Sequence, residues 1–497
     1  MHVLHAVGNS YLLTGKTGLS TFMRFLFINP SRILGRDNIW RVIKSTTPPI
    51  GLALLAALLE QRGIQADIID AQALQLTPDE VIARARFAGT YDIIGITATT
   101  PEIVSAAKTA QLFRKAFPNA RILFGGVHPT LFHRQLVESG IADLVIRGEG
   151  EEPIVALALS KDFREVPGLT WKDDKGDVVV NESRETLVNL DSLPLPAYHK
   201  LPMASYRSAL GAVKRTPSIG IITSRGCPGT CTFCYSGMFG NKVRCESADR
   251  VYEHIIFLQK SYDIREISFY DDTFTSDRDR VIALCNRFIK NKLNVSWSCF
   301  ARVDTVDPEL LIIMRQAGCH QIMYGFESSD DAVLKTINKR VTISRYFEIV
   351  KMTRAAGIDI RGAFMLGSPG ETEQSLINTI RFSTILNIQY AVFNITTPYP
   401  GTALHAWAVE NACLIHRNWE DYDYAHPVME LPTLSARTIQ KCYREAYRTF
   451  YLRPRYIFSR LPGMISSGLL RMGLKAFWGI LSMLRPRRDD NKRSDDC

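Results

Sequence analysis

The chain has 497 residues, more than one ordinary hydrophobic core accommodates, so two or three domains are expected. Hydrophobic residues make up 46% and charged residues 22%, which are the proportions of a globular protein. The net charge is +10, but no nucleic-acid recognition motif accompanies it, so no nucleic-acid partner is predicted. Ten cysteines spread along a chain without a clear secretory signal argue against a disulfide framework and favour a reducing cytoplasm.

Residues 1–22 are predicted to be an extension that precedes the first domain. They are poor in charge and lack a clear cleavage site, so they do not make a convincing signal peptide. We interpret them as a disordered extension or as a mis-assigned start. A strand-like run begins at Arg24, which places the start of the first domain near Met23.

Residues 23–155 are predicted to form an α/β domain. Short apolar runs alternate with amphipathic segments, and this rhythm predicts a parallel sheet covered on both faces. Gly125 and Gly126 end the fourth run, where the backbone can approach a ligand closely. Ligands of such sheets lie outside the carboxyl ends of the strands. The predicted strands are Phe25–Asn29, Ala66–Ile69, Ile93–Thr97, Ile122–Phe124 and Leu144–Ile146.

A predicted linker, 156–212, joins this domain to a second one, 213–430. The linker contains Leu193-Pro194-Leu195-Pro196, an extended connector, because each proline disfavours helix at the residue before it. Six strand–helix units follow and predict an incomplete barrel of the (β/α)6 type, with active residues at the carboxyl ends of its strands. The predicted strands are Ile219–Thr223, Ile267–Tyr270, Val295–Phe300, Ile322–Phe326, Ile360–Met365 and Ala391–Ile395.

Three cysteines follow the first strand of the second domain. Cys227, Cys231 and Cys234 have the spacing C-x3-C-x2-C, with an aromatic residue, Phe233, before the last thiol. Three thiolates on one loop can ligate three irons of a [4Fe–4S] cluster and leave the fourth iron open. A structural zinc site is disfavoured because it needs four ligands, and no second Cys or His pair lies nearby. A thioredoxin-type C-x-x-C motif would not need Cys227.

This cysteine motif resembles the signature of radical S-adenosylmethionine (SAM) enzymes. The resemblance implies that the amino and carboxylate groups of SAM chelate the open iron. It also implies an electron donor, such as a flavodoxin or a ferredoxin, because one electron cleaves SAM to a 5′-deoxyadenosyl radical. In such enzymes the cofactor supplies the chemistry, while the protein supplies orientation, electrostatics and a dry cavity.

The first domain resembles the Rossmann-like cobalamin-binding domain that often precedes radical SAM cores. No histidine occurs between Met23 and Val127, so the loop after the first strand offers cobalt no imidazole ligand. The alternative is a generic Rossmann-like domain, but no G-x-G-x-x-G follows the first strand. The matching segments are Pro48–Leu52, Gly95–Thr99, Gly125–Pro129 and Arg147–Glu151. The cobalamin contacts that the resemblance implies are Thr97, Thr99, Gly125, Gly126, His128 and Glu149.

The radical SAM resemblance also implies SAM contacts at the ends of further barrel strands. Two carboxylates follow the second strand, where they suit the SAM ammonium, although Asp and Thr are also good N-caps for the next helix. A buried Glu327 must be paired, and Arg302 is its predicted partner, beside SAM or in a structural ion pair. The implied SAM contacts are Asp271, Asp272, Arg302, Glu327, Ser328 and Gly367.

The C-terminal region, 431–497, is predicted to be helical. Ile457–Leu484 is amphipathic, but Pro462 and several cations interrupt it, so a membrane-spanning helix is disfavoured. An interfacial helix with a basic face fits this segment, and the alternative is a helix packed on the barrel. The interfacial interpretation favours an apolar substrate, such as a lipid, isoprenoid or tetrapyrrole. It also favours a cytoplasmic protein in peripheral contact with the inner membrane face.

Together the two resemblances imply a cobalamin-dependent radical SAM enzyme. The leading interpretation is a C-methyltransferase that acts on an unactivated carbon. A second interpretation keeps both cofactors but resembles the anaerobic magnesium-protoporphyrin monomethyl ester cyclase, in which the substrate radical is oxidised and hydrated. A third, non-enzymatic interpretation is a cobalamin or iron–sulfur sensor. The sensor is disfavoured because a complete barrel with a ligand loop is more than a sensor needs.

Overall fold

The computed structural model describes residues 23–31, 45–184, 188–209, 211–235, 237–416 and 418–458. The predicted extension 1–22 and nearly all of the amphipathic segment Ile457–Leu484 lie outside these residues. Within them, two α/β units follow each other along the chain, each built on its own sheet. This arrangement confirms the predicted fold class.

The first unit is built on a seven-stranded sheet. Its strands are β1 (Phe25–Asn29), β2 (Ala66–Asp70), β3 (Ile93–Thr97), β4 (Arg121–Gly125), β5 (Leu144–Ile146), β6 (Leu169–Lys172) and β7 (Val178–Val180). Their order is β2-β1-β3-β4-β5-β6-β7, with β1 to β5 parallel and β6 and β7 antiparallel. The parallel strands are the five that the apolar runs predict. The antiparallel pair extends this sheet beyond residue 155, into the predicted linker.

Helices cover both faces of the first sheet. They are α1 (Ile50–Glu60), α2 (Ala71–Leu74), α3 (Pro78–Ala88), α4 (Ile103–Ala116), α5 (Val127–Leu131), α6 (His133–Glu138) and α7 (Glu151–Leu159). Successive residues of a strand point to opposite faces, so Phe27 packs in the core with α1 and α7, while Leu26 and Ile28 pack with α3 and α4. This two-sided burial explains why the strands are nearly continuous apolar runs.

The second unit is built on a six-stranded, wholly parallel half-barrel sheet. The unit contains eight strands among the described residues, six of which form this sheet: β8 (Ser218–Ile221), β9 (Ser224–Arg225), β10 (Arg244–Cys245), β11 (Glu266–Phe269), β12 (Ser296–Ala301), β13 (Cys319–Glu327), β14 (Asp359–Leu366) and β15 (Tyr390–Ile395). The order β8-β11-β12-β13-β14-β15 follows the chain, whereas β9 and β10 form a separate antiparallel pair. The six predicted barrel strands are therefore confirmed to within a few residues at each end.

Eight α-helices belong to the second unit among the described residues. They are α8 (Ala248–Tyr262), α9 (Arg278–Lys290), α10 (Pro308–Gln316), α11 (Asp331–Thr336), α12 (Ile343–Ala355), α13 (Glu373–Ile385), α14 (Ala403–Glu410) and α15 (Ala436–Tyr451). Alternate strand residues such as Trp297 and Cys299 are buried in the core beneath these helices. Residues in the other register, including Phe300, Met323 and Val392, are only half-buried. The inside of the half-barrel is therefore lined by side chains that a ligand can reach.

Two tyrosines of α15 form hydrogen bonds with the backbone of β15, the strand at the edge of the half-barrel. The Tyr447 hydroxyl donates to the Phe393 carbonyl (3.0 Å) and accepts from the Phe393 amide (3.3 Å). One helical turn later, Tyr451 pairs in the same way with the carbonyl (2.7 Å) and amide (3.2 Å) of Ala391. An exposed strand edge presents backbone amides and carbonyls without hydrogen-bond partners. The two tyrosine hydroxyls supply partners for these groups at two residues of β15.

None of the helices within the ranges given above combines the length and apolar character needed to cross a membrane.

Candidate active site

The three cysteines lie on the loop that follows β8, at the carboxyl end of the half-barrel. Cys231 is buried, Cys227 is half-buried and Cys234 is exposed, so the loop presents its thiols at the mouth of the barrel. Among the described residues, no group of three His, Cys, Asp or Glu side chains is spaced to hold a single metal ion. In a [4Fe–4S] cluster each cysteine ligates a different iron.

Asp271 fixes the start of this loop. It is fully buried, and its carboxylate accepts hydrogen bonds from the Thr223 amide (2.5 Å), the Thr223 hydroxyl (2.7 Å) and the Ser224 amide (3.1 Å). Burial raises the pKa of Asp271, and Arg280 opposes that rise. The neighbouring Asp272 is exposed. A direct contact with a ligand at the barrel mouth is therefore open to Asp272, while Asp271 is occupied by the chain.

Glu327 forms its ion pair with a residue that the sequence analysis missed. Its Oε1 lies 2.8 Å from Lys339 Nζ, and both side chains are less than a tenth exposed. Burial disfavours the ammonium, but Glu327 and Cys231 raise the pKa of Lys339 above its ordinary value. Arg302, the predicted partner, instead pairs with Asp304 at 2.8 Å. The prediction of an Arg302–Glu327 pair was therefore wrong, because the short loop after α11 brings a closer cation to Glu327.

Two cations stand next to the cysteine loop. Arg302 Nη1 lies 3.8 Å from Cys231 Sγ, and the Arg302 Nη2 group donates to the Lys339 carbonyl (3.3 Å). On the other side, the Thr273 hydroxyl lies 3.4 Å from Cys227 Sγ. Arg302 therefore places a positive charge directly beside the buried thiol of the loop.

Ser328 and Gly367 occupy tightly packed turns at the ends of β13 and β14. The Ser328 hydroxyl is buried and accepts from the Asp330 amide (3.2 Å). Gly367 has φ +92°, and its amide donates to Glu371 Oε2 (2.7 Å), as does the Ser368 amide (2.7 Å). Burial raises the pKa of Glu371 to about 8. Glu371 was not among the predicted site residues, although it follows Gly367 by only four positions.

A cavity of about 270 Å³ lies at the carboxyl end of the first sheet, between the two units. Four of the six predicted cobalamin residues line it: Thr97, Gly125, Gly126 and Glu149. Thr99 instead caps a short turn, where its hydroxyl bonds to Glu102 (2.7 Å). His128 is 3% exposed, stacks on Phe132 at 4.4 Å and is outside the cavity lining. Burial lowers the pKa of His128 to about 4, so the ring is neutral.

An ion-pair cluster joins this cavity to the cysteine loop. Arg225, two residues before Cys227, pairs with Glu149 (2.6 Å) and with Glu151 of the first unit. Arg244, on the strand paired with that of Arg225, also pairs with Glu149. Each of these side chains is less than a fifth exposed. No local sequence pattern marks this ion-pair cluster, which bridges the two candidate cofactor sites.

Two family models match the chain. The model of the radical SAM superfamily matches residues 221–383, which contain the cysteine loop and most of the half-barrel. The model of the B12 binding domain matches residues 38–158, which contain the parallel strands of the first unit from β2 to β5.

Relatives extend over most of the chain. The uncharacterized methyltransferase PH0819 of Pyrococcus horikoshii is 37% identical over 442 residues, covering 88% of this chain and 94% of that protein. The anaerobic magnesium-protoporphyrin IX monomethyl ester cyclase of Rubrivivax gelatinosus is 26% identical over 486 residues, covering 92% and 86%. The solved structure of the cobalamin-dependent radical SAM enzyme OxsB matches with a TM-score of 0.68 at 15% identity, covering 92% of this chain and 72% of that one. This structural likeness shows a shared fold.

Proposed function

This chain belongs to the cobalamin-dependent radical SAM methyltransferase family, and we propose that it transfers a methyl group to an unactivated carbon of an apolar small molecule. Its cofactors are a [4Fe–4S] cluster, SAM and cobalamin. As a member of this family it acts on a small-molecule substrate and needs a reductant. When bound, the cluster and SAM supply a 5′-deoxyadenosyl radical, and cobalamin supplies the methyl group.

The residues present fit these groups. Three thiols on one loop, with Arg302 and Lys339 beside them, are the donor set that an iron–sulfur cluster with one open iron requires. The cavity between the two units has largely apolar walls, and Gly125 and Gly126 let the backbone come close to a ligand, as a bulky macrocyclic cofactor requires.

The observation that carries the proposal is the adjacency of the two sites. Arg225 lines the cavity of the first unit and lies two residues before the first cysteine of the loop. A methyl donor and a radical source must both reach the same substrate carbon, and such reactions demand close positioning. The ion-pair cluster holds the two sites at a fixed separation, which supports transfer between them.

We propose that the cysteine loop and two residues beside it hold the cluster and SAM. Cys227, Cys231 and Cys234 hold the cluster, and the exposed Asp272 accepts a hydrogen bond from the SAM ammonium. Arg302 offers a cation to the SAM carboxylate, because its guanidinium already lies beside Cys231.

Other residues are proposed to shape the SAM site from behind it. Asp271 and Ser328 act by holding the loops, since the chain occupies their oxygens. Glu327 holds Lys339 near the cluster, and Gly367 lets the backbone approach SAM.

The inside of the half-barrel supports an apolar substrate. Its reachable side chains include Tyr270 and Phe300, whose rings lie 5.5 Å apart, together with Met323 and Val392. Such a lining stabilises a lipid, isoprenoid or tetrapyrrole through burial of apolar surface. We also propose that the protein is cytoplasmic and contacts the membrane through the Ile457–Leu484 segment. The proposed reductant is a flavodoxin or a ferredoxin. Flotation of the full chain with anionic vesicles, compared with a chain ending at residue 456, tests the membrane contact.

The experiment uses anaerobically reconstituted full-length protein, SAM labelled in its methyl group, a chemical reductant and a panel of lipids, isoprenoids and tetrapyrroles. We expect label in one product and hydrogen from the same substrate in 5′-deoxyadenosine. A substrate that is consumed without ever receiving the label would contradict methyl transfer. The Cys231→Ala variant controls for methylation that does not need the cluster.

A second function is favoured by one observation, the 26% identity to the cyclase over 92% of the chain. It predicts that the product of a turned-over tetrapyrrole gains oxygen from water and no methyl group. Turnover in ¹⁸O-labelled water therefore separates the two functions by the mass of the product.

A further inference from the structure

A row of large side chains crosses the inside of the half-barrel from the end of β11 to β15. It begins with Tyr270 and Phe300, whose ring centroids lie 5.5 Å apart. In the sheet register Phe300 lies opposite Met323, Met323 lies opposite Arg361, and Arg361 lies opposite Tyr390. Each of these five residues is half-buried. A largely aromatic row therefore contains one guanidinium group.

The strand pattern places the Arg361 side chain on the inner face of the sheet. Successive strand residues point to opposite faces, and Ile360 and Phe364 pack in the core that also contains residues of α12 and α13. Arg361 Cζ lies 5.6 Å from the centre of the Tyr390 ring. Burial lowers the pKa of Arg361 and nearby tyrosines oppose that shift, so the guanidinium keeps its positive charge.

Small side chains next to this row leave room for a ligand at Arg361. Ala363 lies two residues after Arg361 on β14, opposite Val392 on β15, and both are half-buried. At the other end of the row, Gly220 of β8 makes room for the Tyr270 ring, because a Cβ atom at Gly220 would clash with it. A ligand can therefore approach Arg361 along Ala363 and Val392, from the carboxyl ends of the strands.

The chemistry of this wall suits a molecule with two different parts. A guanidinium offers its N–H donors in a planar fork that matches the oxygens of a carboxylate or a phosphate. Hydrogen bonds between charged partners are roughly twice as strong as those between neutral ones. The aromatic rings and the thioether of the same row favour an apolar body. The row therefore matches an amphiphile that carries an acidic group.

We propose that Arg361 binds the acidic group, a carboxylate or a phosphate, of an amphiphilic substrate whose apolar body lies along the aromatic row. This inference rests on the proposed function, which makes the inside of the half-barrel the substrate site, and it adds the charge of the substrate. Arg361 is then a specificity-determining residue. It selects an acid over an uncharged molecule with the same apolar body.

The test measures the binding of three matched pairs of probes by equilibrium dialysis on the full-length, cluster-loaded protein with cobalamin. Each pair joins an acid to a neutral compound that has the same apolar body. The pairs are hexadecanoic acid with hexadecanol, geranylgeranyl phosphate with geranylgeraniol, and protoporphyrin IX with its dimethyl ester. The carboxylate and phosphate arms separate the two sources of the acidic group.

The variants change the charge at one position. Arg361→Met removes the cation at similar length, and Arg361→Lys keeps the charge but loses the planar fork. Arg381→Met, at an exposed position of α13, is the matched control. We expect the unaltered protein to bind at least one acid about tenfold or more tightly than its neutral partner, the effect of a charged hydrogen bond.

Arg361→Met should remove this preference and leave the affinity for the neutral compound unchanged. Arg361→Lys should keep part of the preference, and Arg381→Met should keep all of it. The inference is overturned if the unaltered protein prefers no acid, or if the preference survives in Arg361→Met.

Photolabelling of the unaltered protein decides the question if Arg361→Met loses its iron content or its cooperative thermal unfolding. The probe is the preferred acid with a diazirine next to its acidic group. We expect label within residues 359–366 or 390–395, which are the strands of Arg361 and Tyr390. Label confined to other parts of the chain overturns the inference.

This inference and the proposed function fail in different ways. An acid that binds through Arg361 and is consumed without receiving a methyl group contradicts methyl transfer but supports the role of Arg361. A neutral compound that is methylated while its acidic counterpart is not overturns the role of Arg361 but supports methyl transfer.

Discussion

Replacing Arg225 by Met should loosen the junction between the two units. The change removes the cation that pairs with Glu149 and Glu151, whose side chains are 19% and 9% exposed. Breaking a buried pair costs about 3–5 kcal/mol, because it leaves an uncompensated buried charge. Glu149 keeps Arg244 as a partner, so we take the lower end, about 3 kcal/mol. At about 1.4 kcal/mol per tenfold, separation of the units becomes roughly 100-fold more favourable.

Amide hydrogen exchange across residues 144–158 measures this opening directly. In the Arg225→Met variant we expect exchange through opening to accelerate by roughly the same 100-fold factor. Adding Glu151→Met should reverse much of the effect, since the stranded carboxylate is removed as well.

The control for the Arg225 prediction is Arg184→Met. Arg184 pairs with Glu152 at 2.8 Å, but the two side chains are 66% and 36% exposed. A surface pair of this kind contributes about 0–1 kcal/mol. If the amides of residues 144–158 exchange at the same rate in the Arg225→Met and Arg184→Met variants, the ion-pair cluster does not hold the two units together.

Three further outcomes are expected. Tyr447→Phe leaves the Phe393 amide and carbonyl unpaired, so exchange of that amide should accelerate about tenfold or more, whereas unchanged exchange would exclude an edge-sealing role. The pKa of Glu371 is raised from 4.5 to about 8, so the folded state holds a proton that the unfolded state has lost. Between those pH values the stability of the protein relative to Glu371→Gln should fall as pH rises, and parallel thermal unfolding profiles would contradict this. Cys231→Ala should abolish SAM cleavage while leaving corrinoid bound, whereas Cys245→Ala, at a half-buried lone cysteine, should retain both; equal activity of the two variants would remove Cys231 from the cluster.

The strands of both sheets could be predicted from the sequence because each is a short, mostly apolar run between helical segments. β1, β3 and β5 begin and end at the predicted residues. The cysteine loop could equally be found in the sequence, since its three cysteines lie within eight residues. These features depend on residues that are neighbours in sequence, so a single sequence contains them.

Contacts between residues far apart in the sequence could not be predicted in the same way. Charge alone indicated that Glu327 needs a cation, but both Arg302 and Lys339 are cations, and only the path of the loop after α11 decides between them. Arg225 and Glu149 are separated by 76 positions and belong to different units, so nothing local marks them as a pair. The orientation of the units determines such contacts, and periodicity does not encode it.

We propose that Cys227, Cys231 and Cys234 hold a cluster whose open iron binds SAM. The most direct measurement is electron–nuclear double resonance on the reduced cluster, with SAM labelled by ¹⁷O in its carboxylate and by ¹⁵N in its amino group. We expect hyperfine coupling to both nuclei in the unaltered protein. A reduced cluster that binds SAM without coupling to either nucleus would contradict it.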